Sequence, residues 1–149
     1  MRYILDSNIL LNIIRGNKTV ENELRKRNVY ASGSAFVSVV NVGEILSISK
    51  QNNWGVSKQL IFEGLIKTFK AIPIQSRKLL DVYAEIDTYS KGKLTSRPLP
   101  KGLSARTMGK NDLWIAATTH LLNADIITND NDFDHLDGIY FNVIKISTA

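Results

Sequence analysis

Four acidic residues stand where a strand gives way to a helix or a turn. They are Asp6 in YILDSNILL, Glu44 in VSVVNVGEIL, Asp112 in GKNDLWIAA and Asp130 in DIITNDNDF. Carboxylates gathered at one edge of a sheet would repel one another unless a divalent cation neutralised them. All-oxygen sites of this kind suit hard ions such as Mg2+ or Mn2+. A cation held there can polarise a phosphate oxygen, lower the pKa of an attacking water and stabilise the leaving oxygen. The chain has no cysteine and only two histidines, His120 and His135, so zinc has few ligands to draw on. His120, late in an apolar helix, reads as a packed residue, and His135 as a surface residue of a polar turn.

Each acid also has a purely structural role open to it. Asp6 could simply cap the helix that follows. Asn41 and Glu44 have the spacing of a capping box, whose Glu folds back on the cap backbone. Asp112 near a helix start is favoured by the helix dipole, and Asp130 lies in the run Asn129–Asp132 that any turn might show. Their joint placement says more than any one of them, because Glu21, Glu63, Asp81 and Glu85 fall inside helical stretches instead.

The elements that must position these residues follow from hydrophobic spacing and punctuation. Arg2–Leu5 reads as a strand, with Asp6-Ser7-Asn8 suited to helix capping. Ile9–Ile14 continues as a helix ended by Gly16, and Thr19–Lys26 forms a second helix. Ala35–Val40 reads as a buried strand, with Asn41 capping a helix through Ser49. Ser57–Phe69 is helical, Ala71–Ile74 a brief strand, and Ser76–Tyr89 a helix. Ser90–Lys110 carries three glycines, two prolines and six Lys or Arg, with no acid, and reads as a long basic loop. Asp112–Leu122, apolar nearly all round, is a helix buried on several sides. Asp125–Thr128 and Tyr140–Ile146 are the last strands, separated by a polar turn.

Strands alternating with helices predict an α/β fold, a single domain over residues 1–149 with a central, mostly parallel sheet of about four to five strands. Sites in such sheets form beyond the carboxyl ends of the strands. Asp6, Glu44 and Asp130 each follow a strand. Asp112 reaches the same edge because its helix leads into a parallel strand and must begin there. About twenty loop residues, at ~3.3 Å each, easily span the return of a fifteen-residue helix rising ~1.5 Å per residue. All four acids can therefore meet.

The net charge is +5, from nineteen Lys and Arg against fourteen Asp and Glu. Setting the four acids aside leaves ten acids, and the rest of the molecule is then +9. An anionic pocket within a basic shell holds a cation while drawing polyanions. No apolar run is long enough for a membrane span, and MRYILDSN reads as a first strand with no signal peptide evident. The cytoplasm is the default expectation.

With these residues assembled, the chain resembles PIN-domain nucleases, most closely the VapC-type toxins of toxin–antitoxin systems. The matching segments are YILDSNILLNII, FVSVVNVGEIL, NDLWIAATTHLL and IITNDNDF, in the family's order, followed by the closing strand YFNVIKIS. The resemblance implies a three-layer α/β/α fold and an endoribonuclease using Mg2+ or Mn2+, with Asp6, Glu44, Asp112 and Asp130 as the catalytic metal-binding quartet. It implies that Ser7 or Asn8, together with Thr128, orient water or carboxylates around the metal. It also implies a homodimer restrained by a cognate antitoxin protein, with RNA as substrate. Lys101, Arg106 and Lys110 of the basic loop are the candidate contacts to the RNA backbone. That loop looks longer than the family's usual connection, and Asp132 and Asp134 compete with Asp130 for the fourth position.

Two rivals are open. A phosphatase of the HAD type also places an Asp after its first strand, but needs a second Asp two positions on, where Asn8 stands. A catalytically silent PIN fold that binds RNA or protein is the other.

Overall fold

The computed structural model describes residues 1–149. In chain order the elements are β1 (Tyr3–Leu5), α1 (Ser7–Ile14), α2 (Lys18–Lys26), β2 (Ala35–Ser38), α3 (Val39–Gln51), α4 (Val56–Thr68), β3 (Lys70–Ile72), α5 (Arg77–Ser90), α6 (Lys110–Leu121), β4 (Asp125–Thr128) and β5 (Val143–Lys145). A 3-10 turn at Asp134–Leu136 precedes the last strand. All five strands are parallel, in the order β3-β2-β1-β4-β5. Successive strand residues face opposite sides of a sheet, and the burial follows. Tyr3, Leu5, Ala35, Val37 and Ile127 join the core beneath α1–α4, whereas Ile4 and Ile126 join the core formed with α5 and α6. The result is a three-layer α/β/α sandwich.

The strand expected to run to Val40 stops at Ser38, and the reason is local. Ser38 Oγ accepts the Val40 N–H at 3.1 Å, while Asn41 Oδ1 accepts the Ser38 N–H at 2.9 Å. This reciprocal cap starts α3 at Val39, and it overrides the β preference of two valines. Asn41 is therefore the third residue of the helix and not its cap, and the Asn41–Glu44 capping box does not form. Other boundaries shift for similar reasons. β3 ends before Pro73, which cannot donate to a ladder. β5 is shorter than expected, since Tyr140 and Phe141 serve the second core and only a bridge joins Asp137 to Phe141. Gly16 ends α1 with φ +75°, as its position predicts.

The segment between α5 and α6 has no helix or strand, yet it is fastened. Leu94, Leu99 and Met108 pack on the second core, and the Arg97 guanidinium lies 4.8 Å over the Tyr140 ring. No helix is long and apolar enough to cross a membrane.

Candidate active site

Topology decides where the site lies. From β1 the chain winds to β2 and β3 on one side, then crosses to β4 and β5 on the other. The connections leaving β1 and β4 diverge at their carboxyl ends and open a crevice there. Asp6 caps α1 directly after β1, and Thr128 ends β4 with Asp130 two residues on. Asp112 sits in the first turn of α6, which must start at this edge to lead into parallel β4. Glu44 is in the second turn of α3, which follows β2.

Two hydroxyls organise the acids. Asp6 is 7% exposed, and its two oxygens are partnered separately. Oδ1 accepts the Ser7 N–H at 2.8 Å, and Oδ2 accepts the Thr128 hydroxyl at 2.8 Å. Thr128 Oγ1 also accepts the Asp130 N–H at 3.0 Å, so one hydroxyl ties β1 to the turn after β4. The Ser7 hydroxyl donates to Glu44 Oε1 at 2.7 Å and accepts from Asn41 Nδ2 at 2.8 Å. Ser7 therefore reaches an acid directly. Asn8 instead donates to Asn129 Oδ1 at 2.9 Å, away from the carboxylates.

The electrostatics report a crowd of negative charge. Burial pushes the Asp6 carboxyl above its ordinary value against the lowering effect of the Thr128 and Ser7 hydrogen bonds, and Asp130 and Glu44 add to the rise. Asp112 is pushed up to about 7, first by burial, then by the charges of Asp6 and Asp132, by a hydrogen bond with Asp132, and by Asp130. Asp132 thus joins the cluster beside Asp130, and its N–H donates to Asp130 Oδ1 at 3.1 Å. Asp134 does not join, because Lys145 holds it at 2.9 Å. The donor set is all oxygen, the chemistry of a hard cation. As the side chains stand, no three His, Asp or Glu are arranged as a ready-made metal-binding group.

The three basic residues singled out in the sequence separate. Lys110 borders an open cleft with Glu44, Gly109, Asn111 and Asp112. Arg106 borders a different hollow with Lys91, Lys93 and Thr107. Lys101 lies on the exposed turn that the Leu103 N–H closes onto the Pro100 carbonyl, outside both.

Sequence reasoning took Asn41 for a helix cap and missed its link to Ser7. Asn41 is fully buried and links the α3 cap to Ser7; its signal, an Asn one turn before an acid, was absorbed by the capping-box reading. The histidine readings are reversed. His135 is buried, bonding Ser90 Oγ through Nε2 at 2.8 Å, while His120 is exposed, with Nδ1 2.8 Å from the Tyr140 carbonyl.

The PIN domain family model matches residues 3–139, and the chain belongs to that family. No curated protein matches it in sequence. Among solved structures, a chain of VapBC2 from Rickettsia felis, bound to a DNA fragment from its promoter, is 22% identical with a TM-score of 0.75, covering 99% of this chain and 100% of that one. A chain of FitAcB from Neisseria gonorrhoeae is 20% identical with a TM-score of 0.72, covering 96% of each. A chain of VapBC-1 from nontypeable Haemophilus influenzae is 20% identical with a TM-score of 0.68, covering 97% and 98%. The shared fold extends over nearly the whole chain.

Proposed function

We propose that the protein is a divalent-metal-dependent endoribonuclease and the toxin of a type II toxin–antitoxin pair. The observation that carries this reading is the convergence of Asp6, Glu44, Asp112 and Asp130 on the crevice between β1 and β4, where burial first, and neighbouring carboxylates after it, raise the Asp6 and Asp112 carboxyls. A cation relieves such repulsion. Asp6, Glu44 and Asp112 would hold Mg2+ or Mn2+ directly or through water, with Asp130 completing the pocket and Asp132 beside it. When bound, the ion supplies polarisation of a phosphate oxygen and an acidified attacking water.

The chain's own residues do the positioning. Ser7 and Thr128 lock the Glu44 and Asp6 carboxylates by direct hydrogen bonds, as residues around a metal site do. Lys110 adds positive charge at the cleft rim, and the basic exterior draws RNA toward an acidic pocket that would otherwise repel it.

The partner follows from likeness. One similar structure is described as a toxin–antitoxin complex from Klebsiella pneumoniae, and another as a member of the VapBC family of toxin–antitoxin systems from Mycobacterium tuberculosis. We take a cognate antitoxin as the protein partner, a homodimer as the assembly and the cytoplasm as the location. Leu11 and Ile14 are core, whereas Leu46 is 38% exposed. Val56, Leu60 and Ile61 of α4 are exposed too and offer a surface for one of these contacts.

The test is cleavage of single-stranded RNA by the purified protein. Cleavage is expected in Mg2+, is abolished by EDTA, and falls at least about 100-fold in Asp6→Asn and Asp112→Asn. Robust cleavage in EDTA, or full activity in both variants, overturns the mechanism. The absence of a prearranged ligand group is the one observation favouring a silent binding module. RNA or protein binding without cleavage, and without stabilisation by Mn2+, would establish that second reading.

A further inference from the structure

The basic segment is longer than a connection from α5 to α6 requires, and its two ends are clamped together. Ser90, the last residue of α5, is fully buried. Its carbonyl accepts the Arg106 N–H at 2.8 Å, and its hydroxyl bonds His135 Nε2 at 2.8 Å. The clamp sets Lys91 and Lys93, just after Ser90, beside Arg106 and Thr107 around one open hollow. Lys91 is engaged by Asp87 at 3.0 Å. Lys93 and Arg106 are exposed and take part in none of the molecule's ion pairs. The charge of Arg106 is felt inward as well, since after burial it helps hold His135 down at about 4.

Unpaired cations lining one hollow, on a loop whose backbone is tied down at Ser90, make a site for an anion, with the ordering cost of that backbone met when the protein folds. The short stretch of chain that joins the hollow to the acidic crevice indicates which anion. Arg106 precedes Asp112 by six residues, with Thr107, Met108 and Gly109 before α6 and the last three in its first turn. That stretch spans at most about 17 Å, the length of about five stacked nucleotides.

We propose that the hollow formed by Lys93, Arg106 and Thr107 binds a backbone phosphate of the RNA strand whose cleaved bond lies at the carboxylates. The inference rests on the ribonuclease reading and adds a subsite to it. The contact is to phosphate, so it sets register and affinity without reading base identity. A substrate too short to reach the hollow gains nothing from it.

The experiment has two arms. In the first, an Asp6→Asn chain in EDTA is titrated with a fluorescent single-stranded RNA of about twelve nucleotides, with and without Lys93→Gln and Arg106→Gln together. The double substitution is expected to weaken binding about ten-fold at low salt and to flatten the slope of log affinity against log salt by about 1. Arg106→Lys restores part of both. Lys67→Gln with Lys70→Gln, at the opposite sheet edge near β3, removes the same charge and leaves binding within two-fold. In the second arm, the hollow variant on the active chain is expected to raise KM for the long RNA with kcat unchanged, and to cut a trinucleotide as the parent does. Equal losses in the two double variants would reduce the effect to bulk charge and overturn the proposal. Unchanged RNA affinity alongside lost binding of an acidic peptide would assign the hollow to a protein partner and overturn it too. If no chain cleaves RNA, the ribonuclease reading fails while the first arm still decides the hollow.

Discussion

Thr128 links the two strands that bound the crevice. Its hydroxyl donates to Asp6 and accepts from the Asp130 backbone. Thr128→Val keeps the shape, strips a bond from the buried Asp6 carboxylate and leaves the Asp130 N–H unpaired. A cost of about 1–3 kcal/mol in urea unfolding is expected. Loss of a bond to the charged form also moves the Asp6 carboxyl further up, measurable by NMR titration. Two other residues give stability opposing pH dependences. Asp112, raised from 3.8 to about 7, takes up its proton more readily folded than unfolded, so its contribution falls as pH rises between those values. His135, lowered from 6.5 to about 4, is protonated more readily when unfolded, so its contribution is present above 6.5 and is lost as pH falls toward 4. The two slopes oppose between about 4 and 6.5. Without divalent ions, Asp112→Asn should steepen the rise of stability with pH toward 6.5 that His135 supplies, against the opposing slope of the raised Asp6 carboxyl that remains. It should also raise the melting temperature above pH 7, by roughly 2–4 °C per kcal/mol of relieved repulsion. A pH–stability curve identical to the parent's would contradict both assignments.

At the scale of elements, the start of α3 carries the most consequence. Its cap reaches through Asn41 to Ser7 and then to Glu44, so an acid in the second turn of a helix is fixed by how that helix begins. Asn41→Ala breaks bonds at both ends of this relay and is expected to cost about 1–2 kcal/mol. It should also weaken Mn2+ binding by about 10-fold, read by calorimetric titration; unaltered affinity would show that Ser7 holds Glu44 unaided. This relay was not legible in the sequence. Ala35–Val40 reads as one apolar run, and nothing in its period separates Val37 from Val39. The boundary comes from Ser38, whose side chain has a backbone N–H to accept only once the chain turns into the helix. Conversely, the apolar character of α6 all round announced burial on several sides, and the structure packs it between the sheet and α5.

For the whole molecule, the alternation of elements and the order of the acidic segments were enough to anticipate a parallel sheet and a shared edge, because crossover connections leave few alternatives. Contacts that depend on long-range packing were not. His135 looks polar and exposed in the run from Asn129 to His135, yet the return from β4 to β5 folds it onto Ser90. Asp132 joins the crevice while Asp134 is drawn off by Lys145, a choice that spacing cannot make among three acids at alternate positions. The separation of charge is a property of this scale too. Acids meet in the crevice while an acid-free segment of nineteen residues, 91–109, connects α5 to α6.

The claim on which the account turns is that this crevice is a cation site. It is tested most directly by the melting temperature of the parent, Asp6→Asn and Asp112→Asn chains as Mn2+ is added at pH 7.5. At a hundred times its dissociation constant, a bound ion adds about 2.7 kcal/mol, which for a chain of this size is roughly 5–10 °C. The account predicts that rise for the parent and its loss in both variants, with Asp112→Asn the more stable chain before any metal is added. A parent that does not respond to Mn2+, or variants that respond as the parent does, would contradict it.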